Sequence, residues 1–176
     1  IFATGIKGGF SSFCVSILKF YDTRYTVFQV ISYIVRRTLM INGSIVVSGG
    51  ASGLGAAVVA KLSQLGLKVA SIDLAENKKI ANNDDCASYI CDVTNADLVS
   101  QTCAQISDDL GPIGAVICCA GIAPSSKIHG RKGSHDVALF EKVLSINVVG
   151  TFNLIRAAAP MMKVNEPDEN GQRGVF

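Results

Sequence analysis

From Ser44 onward, short β-branched apolar runs alternate with longer stretches in which apolar residues recur at helical spacing. Ser44 to Ser48 (SIVVS) stops at Gly49-Gly50, the pattern of a buried strand entering a tight turn. Leu54, Val58, Leu62 and Leu65 then share one helical face, and Gly66 supplies a stop signal. Further strands are expected over Lys68 to Asp73 (KVASID), Ser88 to Val93 (SYICDV) and Ile113 to Cys119 (IGAVICC). Between the last two, Thr94 or Asn95 can cap a helix running to about Leu110, with Leu98, Cys103 and Ile106 partly inward and Gly111-Pro112 ending it. Pro124 to Ser134 reads as a polar loop. Asp136 to about Met162 reads as one long helix, with Leu139, Val143, Ile146, Phe152 and Ile155 among its apolar positions, and Lys163 to Gly174 as loop again. Strands separated by helices in this order require right-handed crossovers. They predict an α/β fold, a Rossmann-like doubly wound parallel sheet covered on both faces.

Residues 1 to 39 break this pattern. They hold no sustained period and carry five basic residues (Lys7, Lys19, Arg24, Arg36, Arg37) against one acid, Asp22. The most apolar stretch, Tyr25 to Val35, is about half the ~20 residues a membrane span needs. Two readings account for the segment: a mitochondrial-type transit sequence, or upstream sequence translated ahead of a true start at Met40, which is the simpler of the two. Either way residues 1 to 39 stand as a non-domain extension, and 40 to 176 as a partial Rossmann domain, its N-terminal half only.

Composition excludes more than it selects. A net charge of +2 over 176 residues leaves no electrostatic footprint for nucleic acid or an anionic membrane. The six cysteines form no CxxC pair and no Cys/His ligand spacing, so neither a zinc site nor a redox motif is expected. Cys91, Cys118 and Cys119 lie in apolar runs and read as small buried residues in a reducing compartment. Asp108-Asp109 reads as a solvated helix face.

Candidate chemistry enters at Ser48-Gly49-Gly50-Ala51-Ser52-Gly53-Leu54-Gly55, where strand passes into helix. Gly49 permits the sharp turn, Gly53 lets a ligand approach the backbone, and Gly55 lets the helix pack on the strand. First-turn N–H groups and the helix dipole would then hold a pyrophosphate without any basic side chain. Asp73 ends the next strand 24 positions after Gly49, near the ~20-residue spacing of a ribose-binding carboxylate. That carboxylate would repel a 2′-phosphate, and no Arg or Lys follows in Leu74-Ala75, so NAD is favoured over NADP.

These residues resemble the short-chain dehydrogenases/reductases. The family's TGxxxGxG signature appears as Ser48 to Gly55, with Ser in place of Thr. Its Asp-Val after the third strand, used on the adenine ring, matches Asp92-Val93. Its NNAG element matches Cys118-Cys119-Ala120-Gly121 in the last two residues. Asn147 falls where the family's helix carries a catalytic Asn that orders a proton-relay water. The resemblance thus implies cofactor contacts at Ser48, Gly49, Ser52, Gly53, Leu54, Gly55, Asp73, Asp92, Val93, Cys119, Ala120 and Gly121. Cys119 to Ala123, the Lys127 to His135 loop, Gly150 to Arg156 and Asn165 to Val175 are similar to the family branch that oxidises 3-hydroxyacyl-CoA thioesters or hydroxysteroids. That branch implies a small-molecule acyl-CoA or steroid substrate, a homo-oligomer (tetramer) and a mitochondrial setting, the cytoplasm being the alternative. Lys127, Arg131, Lys132, His129 and His135 read either as a solvated loop or as a contact for coenzyme A phosphates.

Members of this family pass hydride to nicotinamide while a Tyr, its pKa lowered by a Lys four residues on, takes the hydroxyl proton and a Ser holds the oxygen. None of Tyr21, Tyr25, Tyr33 and Tyr89 has Lys at that spacing; Tyr33 has Arg37, which cannot be deprotonated. The chain alone is therefore expected to lack the catalytic Ser, Tyr and Lys and to show no dehydrogenase turnover, and a non-catalytic nucleotide-binding fragment is the alternative reading. The far edge of the fourth strand is expected to lie unpaired, and the long helix to lack a companion.

Overall fold

The computed structural model describes residues 43–78, 80, 85–131 and 133–176; the expectations for residues 1 to 39 lie outside the described residues. Four strands form one parallel sheet: β1 (Ser44–Ser48), β2 (Val69–Asp73), β3 (Cys86–Ile90) and β4 (Ile113–Cys118), in the order β3-β2-β1-β4. Helix α1 (Gly53–Gln64) joins β1 to β2, and α2 (Ala96–Leu110) joins β3 to β4. After β4 come a two-residue hairpin, β5 (His129–Gly130) with β6 (Gly133–Ser134), then α3 (Val137–Leu144), a π-helical turn (Ser145–Gly150) and α4 (Thr151–Met162).

Every residue of β1 is buried, because β1 is central and covered on both faces. Its side chains alternate across the sheet with the period of two that a strand imposes. Ile45 and Val47 join Val58, Val59 and Leu62 of α1. Val46 points to the other face, where it meets a core built from α2 and α4: Val99, Ile106, Leu154 and Ala158. Leu62, Ile106 and Leu154 are wholly buried, and truncating any of them to Ala would cost roughly 2–5 kcal/mol.

Several boundaries differ from expectation for identifiable reasons. The buried face of α1 is Gly55, Val58, Val59 and Leu62, whereas Leu54 and Leu65 are 47% and 42% exposed. The helix begins one residue earlier than the leucine spacing suggested, and its Gly55 seats directly on Gly49 and Gly50 of the turn that follows β1. Strand β3 begins two residues upstream of the expected one and ends three residues before it, at Ile90. Asp92 terminates it: its Oδ1 accepts from Thr94 N at 2.9 Å and Thr94 Oγ1 at 2.7 Å, a local turn that competes with the ladder. The expected loop from Pro124 to Ser134 contains the small hairpin. Asp109 is exposed yet accepts a hydrogen bond from Tyr89 Oη at 2.9 Å, tying α2 to β3.

Asn95 caps α2, its side chain accepting from Leu98 N at 3.0 Å, and Gly111 ends it at φ +89°. Asp136 caps α3 in the same way through Ala138 N. The run Val137–Met162 is long and apolar enough, by length and composition, to cross a membrane. Its C-terminal part, through Leu154, Ala158 and Met162, is instead part of the sheet's core. On the other side Val137, Phe140, Leu144, Val148 and Phe152 are exposed in an i, i+3, i+4 stripe. The far edge of β4 is not bare: Ala115 bridges Val175 in parallel, with Val116 N donating to Val175 O at 2.9 Å and Val175 N to Gly114 O at 3.1 Å. Asn165 holds that return in place, since its Nδ2 donates to both Ile113 O and Arg173 O.

Candidate functional site

The helix after β1 covers one face of the sheet, and the helix that packs after β4 covers the other. The two strands are neighbours, so their carboxyl ends flank a crevice where the winding reverses, the place at which open α/β sheets bind ligands. The glycine turn and the Cys119–Gly121 segment line it.

Each glycine of the turn has its own surroundings. Gly49 adopts φ +67°, and a Cβ there would lie 2.8 Å from Ala120 N, so only glycine lets the β1 and β4 exits touch. A Cβ on Gly55 would overlap Gly49 O and lie 2.7 Å from Gly49 C. Gly53 differs: its φ is +53°, and nothing lies within 4 Å of the position a Cβ would take. Ser52 occupies the N-cap position in an extended conformation, is exposed and makes no side-chain cap hydrogen bond. The start of α1 is thus a helix N-terminus without a cap side chain, opening beside a residue whose missing Cβ leaves free space. These features fit a diphosphate on the backbone N–H groups. Leu54 stands exposed on the first turn above it.

Ser48 is buried, and its hydroxyl accepts from Cys119 N at 3.1 Å and Ala120 N at 3.2 Å. Its side chain therefore fastens the end of β1 to the end of β4. Burial pushes the Cys119 thiol above its ordinary pKa, which keeps it neutral in the crevice. Asp73 Oδ2 accepts from Ala51 N at 2.9 Å and Oδ1 from Leu74 N at 2.7 Å. The carboxylate stands at the end of β2 beside the turn, half-buried, as the sequence spacing predicted.

The wall on the β3 side is Asp92-Val93. A Cβ on Gly150 would come within 2.5 Å of Val93 Cγ2, so Val93 rests on the π-helical turn. Asn147, in the same turn, spends both ends of its carboxamide on one residue: Ile122 N donates to its Oδ1 at 2.9 Å and its Nδ2 donates to Ile122 O at 2.9 Å. The π turn, a form common at functional sites, carries Asn147 to the segment leaving β4. The proposed cofactor-contact residues and Asn147 thus lie around the carboxyl ends of the strands or on elements packed against them, while Lys132 of the basic loop lies outside the described residues.

The short chain dehydrogenase family model matches residues 44–174. The chain belongs to the short-chain dehydrogenase family. Among relatives of this family, a human protein named 3-hydroxyacyl-CoA dehydrogenase type-2 is 41% identical over 139 residues, covering 74% of this chain and 52% of that protein. Its Drosophila melanogaster namesake is 37% identical over 141 residues, covering 77% of this chain and 55% of its own. This chain accordingly spans about half the length of the curated relatives it matches. Among solved structures, ligand-free aldohexose dehydrogenase from Thermoplasma acidophilum shares the fold with a TM-score of 0.63 at 23% identity, covering 73% of this chain and 48% of that one.

In this member of the family, three site-supporting residues went unnoticed in the sequence. Asn153 is buried, and its Nδ2 donates to Val93 O at 3.0 Å and Thr94 O at 3.3 Å, pinning the Asp92-Val93 wall to α4. An Asn flanked by Phe152 and Leu154 in a largely apolar helix was the available signal. Asn77, 4% exposed, donates from Nδ2 to Gly50 O at 2.6 Å, and its own N–H donates to Ser88 Oγ at 2.9 Å. Nothing periodic marks Asn77 or Ser88.

Proposed function

We propose that this chain binds NAD in the β1–β4 crevice and serves an oxidoreductase that converts 3-hydroxyacyl-CoA to the 3-keto product. The observation carrying this reading is the uncapped start of α1 at Gly53, open beside the β4 exit, with the Asp73 carboxylate at the end of the adjoining strand. The N–H groups of the first turn of α1 would hold the two phosphates, and Asp73 would accept from the adenosine ribose hydroxyls through its remaining lone pairs. A 2′-phosphate would meet that same carboxylate, which favours NAD over NADP. Asp92 and Val93 would border the adenine, and Cys119, Ala120 and Gly121 would line the path toward the reacting end.

When bound, the nicotinamide supplies a hydride acceptor for the carbon that bears the substrate hydroxyl. Asn147 stands on the helix beside this path and holds Ile122 in position. The acyl-CoA substrate rests on the names of the relatives, and a hydroxysteroid is the second substrate class. Those names do not favour a non-catalytic nucleotide-binding role. The exposed stripe from Val137 to Phe152 offers an apolar surface for assembly into a homo-oligomer. A mitochondrial setting belongs to the same reading and rests on the sequence resemblance.

Titration of the chain with NAD and NADP by calorimetry tests the cofactor reading. Saturable NAD binding, tighter than NADP, is the expected result; no dinucleotide binding would overturn it. Following NADH formation with a 3-hydroxyacyl-CoA and with a hydroxysteroid, using the whole protein, separates the substrate classes.

A further inference from the structure

Gly50 O and Ala51 N belong to one peptide unit, and both are held by side chains from the segment that begins at the end of β2. Asn77 Nδ2 donates to Gly50 O at 2.6 Å, and Asp73 Oδ2 accepts from Ala51 N at 2.9 Å. The plane of that peptide, at the apex of the glycine turn, is gripped from both ends. Its neighbours need such a grip: Gly49 and Gly53 both lie at positive φ, where glycine explores widely, and a flipped peptide would turn Gly50 O onto the Asp73 carboxylate and distort the turn that sets the first N–H groups of α1 toward an anion. Asn77 is itself fixed, being buried and anchored by its own N–H on Ser88 Oγ of β3 at 2.9 Å. The shortness of the bond to Gly50 O and its burial make this a strong restraint.

From this geometry we infer that Asn77 is a positioning residue for the phosphate-binding turn, acting through the Gly50–Ala51 peptide, with Ser88 as its anchor. The inference rests on the dinucleotide reading above and adds a residue to it. Asn77 reaches the ligand only through the backbone, so its loss should weaken ligands that carry the diphosphate and spare the adenosine moiety.

The test compares wild type, Asn77→Ala and Ser88→Ala in titrations with NAD, ADP and adenosine followed by NMR, with amide hydrogen exchange at Ala51 read on the same samples. Asn77→Ala should weaken NAD and ADP about tenfold, leave adenosine within about twofold, and speed exchange at Ala51, while exchange at Val46 and Val116 in the sheet stays protected. Ser88→Ala keeps the carboxamide and should give a smaller loss of the same pattern, which preserves the test if Asn77→Ala fails to fold. Equal loss for adenosine and ADP, or unchanged NAD and ADP affinity with unchanged Ala51 exchange, overturns the positioning role. Failure of wild type to bind NAD or ADP overturns the dinucleotide reading itself, and the positioning role with it.

Discussion

Ala51 donates its backbone N–H to Asp73 Oδ2 across 22 residues of sequence, at 2.9 Å. The carboxylate proposed to hold the cofactor ribose is therefore also a brace for the phosphate turn. Its two oxygens already accept from Ala51 N and Leu74 N, which holds the carboxylate in place and leaves further lone pairs on each oxygen.

Asp73→Ala should consequently act twice. Loss of the ribose acceptor weakens NAD by more than tenfold, on the order of 1.4 kcal/mol or above. Loss of the brace weakens NADP as well, though less, because removing the carboxylate also relieves its repulsion of the 2′-phosphate. Parallel calorimetric titrations of the two dinucleotides check this, and equal losses for both would refute the ribose assignment.

The glycines of the turn should separate fold from site. Gly55→Ala places a methyl into Gly49 O, an overpacking that costs about 1–3 kcal/mol or more and lowers Tm. Gly53→Ala meets no atom within 4 Å and bears only the strain of its positive φ, roughly 1–2 kcal/mol. It should fold, yet place its methyl in the space proposed for the diphosphate and abolish measurable NAD binding. Thermal melts beside NAD titrations of the two variants distinguish the effects. A Gly53→Ala protein that binds NAD as wild type does would place the phosphates elsewhere.

Alkaline pH should destabilise the α2–β3 side of the core. Burial, and secondarily the neighbouring Cys91, raises Cys103 from an ordinary 9.0 to about 11. Burial also raises Cys91, and burial together with the hydrogen bond to Asp109 raises Tyr89. A group whose folded pKa exceeds its unfolded value contributes stability that is complete below the unfolded value and is lost as pH rises through the folded one. Tm should thus fall between about pH 9 and 11. Cys103→Ala should flatten that fall while costing about 1 kcal/mol at neutral pH through the small cavity it leaves. An unaltered slope in this variant would remove Cys103 from the account.

The order of strands and helices, the turn at Ser48 to Gly55 and the place of Asp73 were all legible along the chain. They depend on local periodicity, on glycine's conformational freedom and on spacing within a single β-α-β unit. The end of β3 at Ile90 moved because a polar side chain overrode the apolar run, Asp92 turning the chain two residues further on. What the tertiary structure decided was which polar groups meet. Ser48 reaches Cys119 N and Ala120 N, Asn77 reaches Gly50 O, Asn147 closes on Ile122, and Asn153 holds Val93 O. These partners lie 25 to 72 residues apart. They are brought together by parallel register and by one π-helical turn, neither of which leaves a periodic trace in the chain, and a lone Asn or Ser looks the same in sequence whether water or a buried backbone group is its partner.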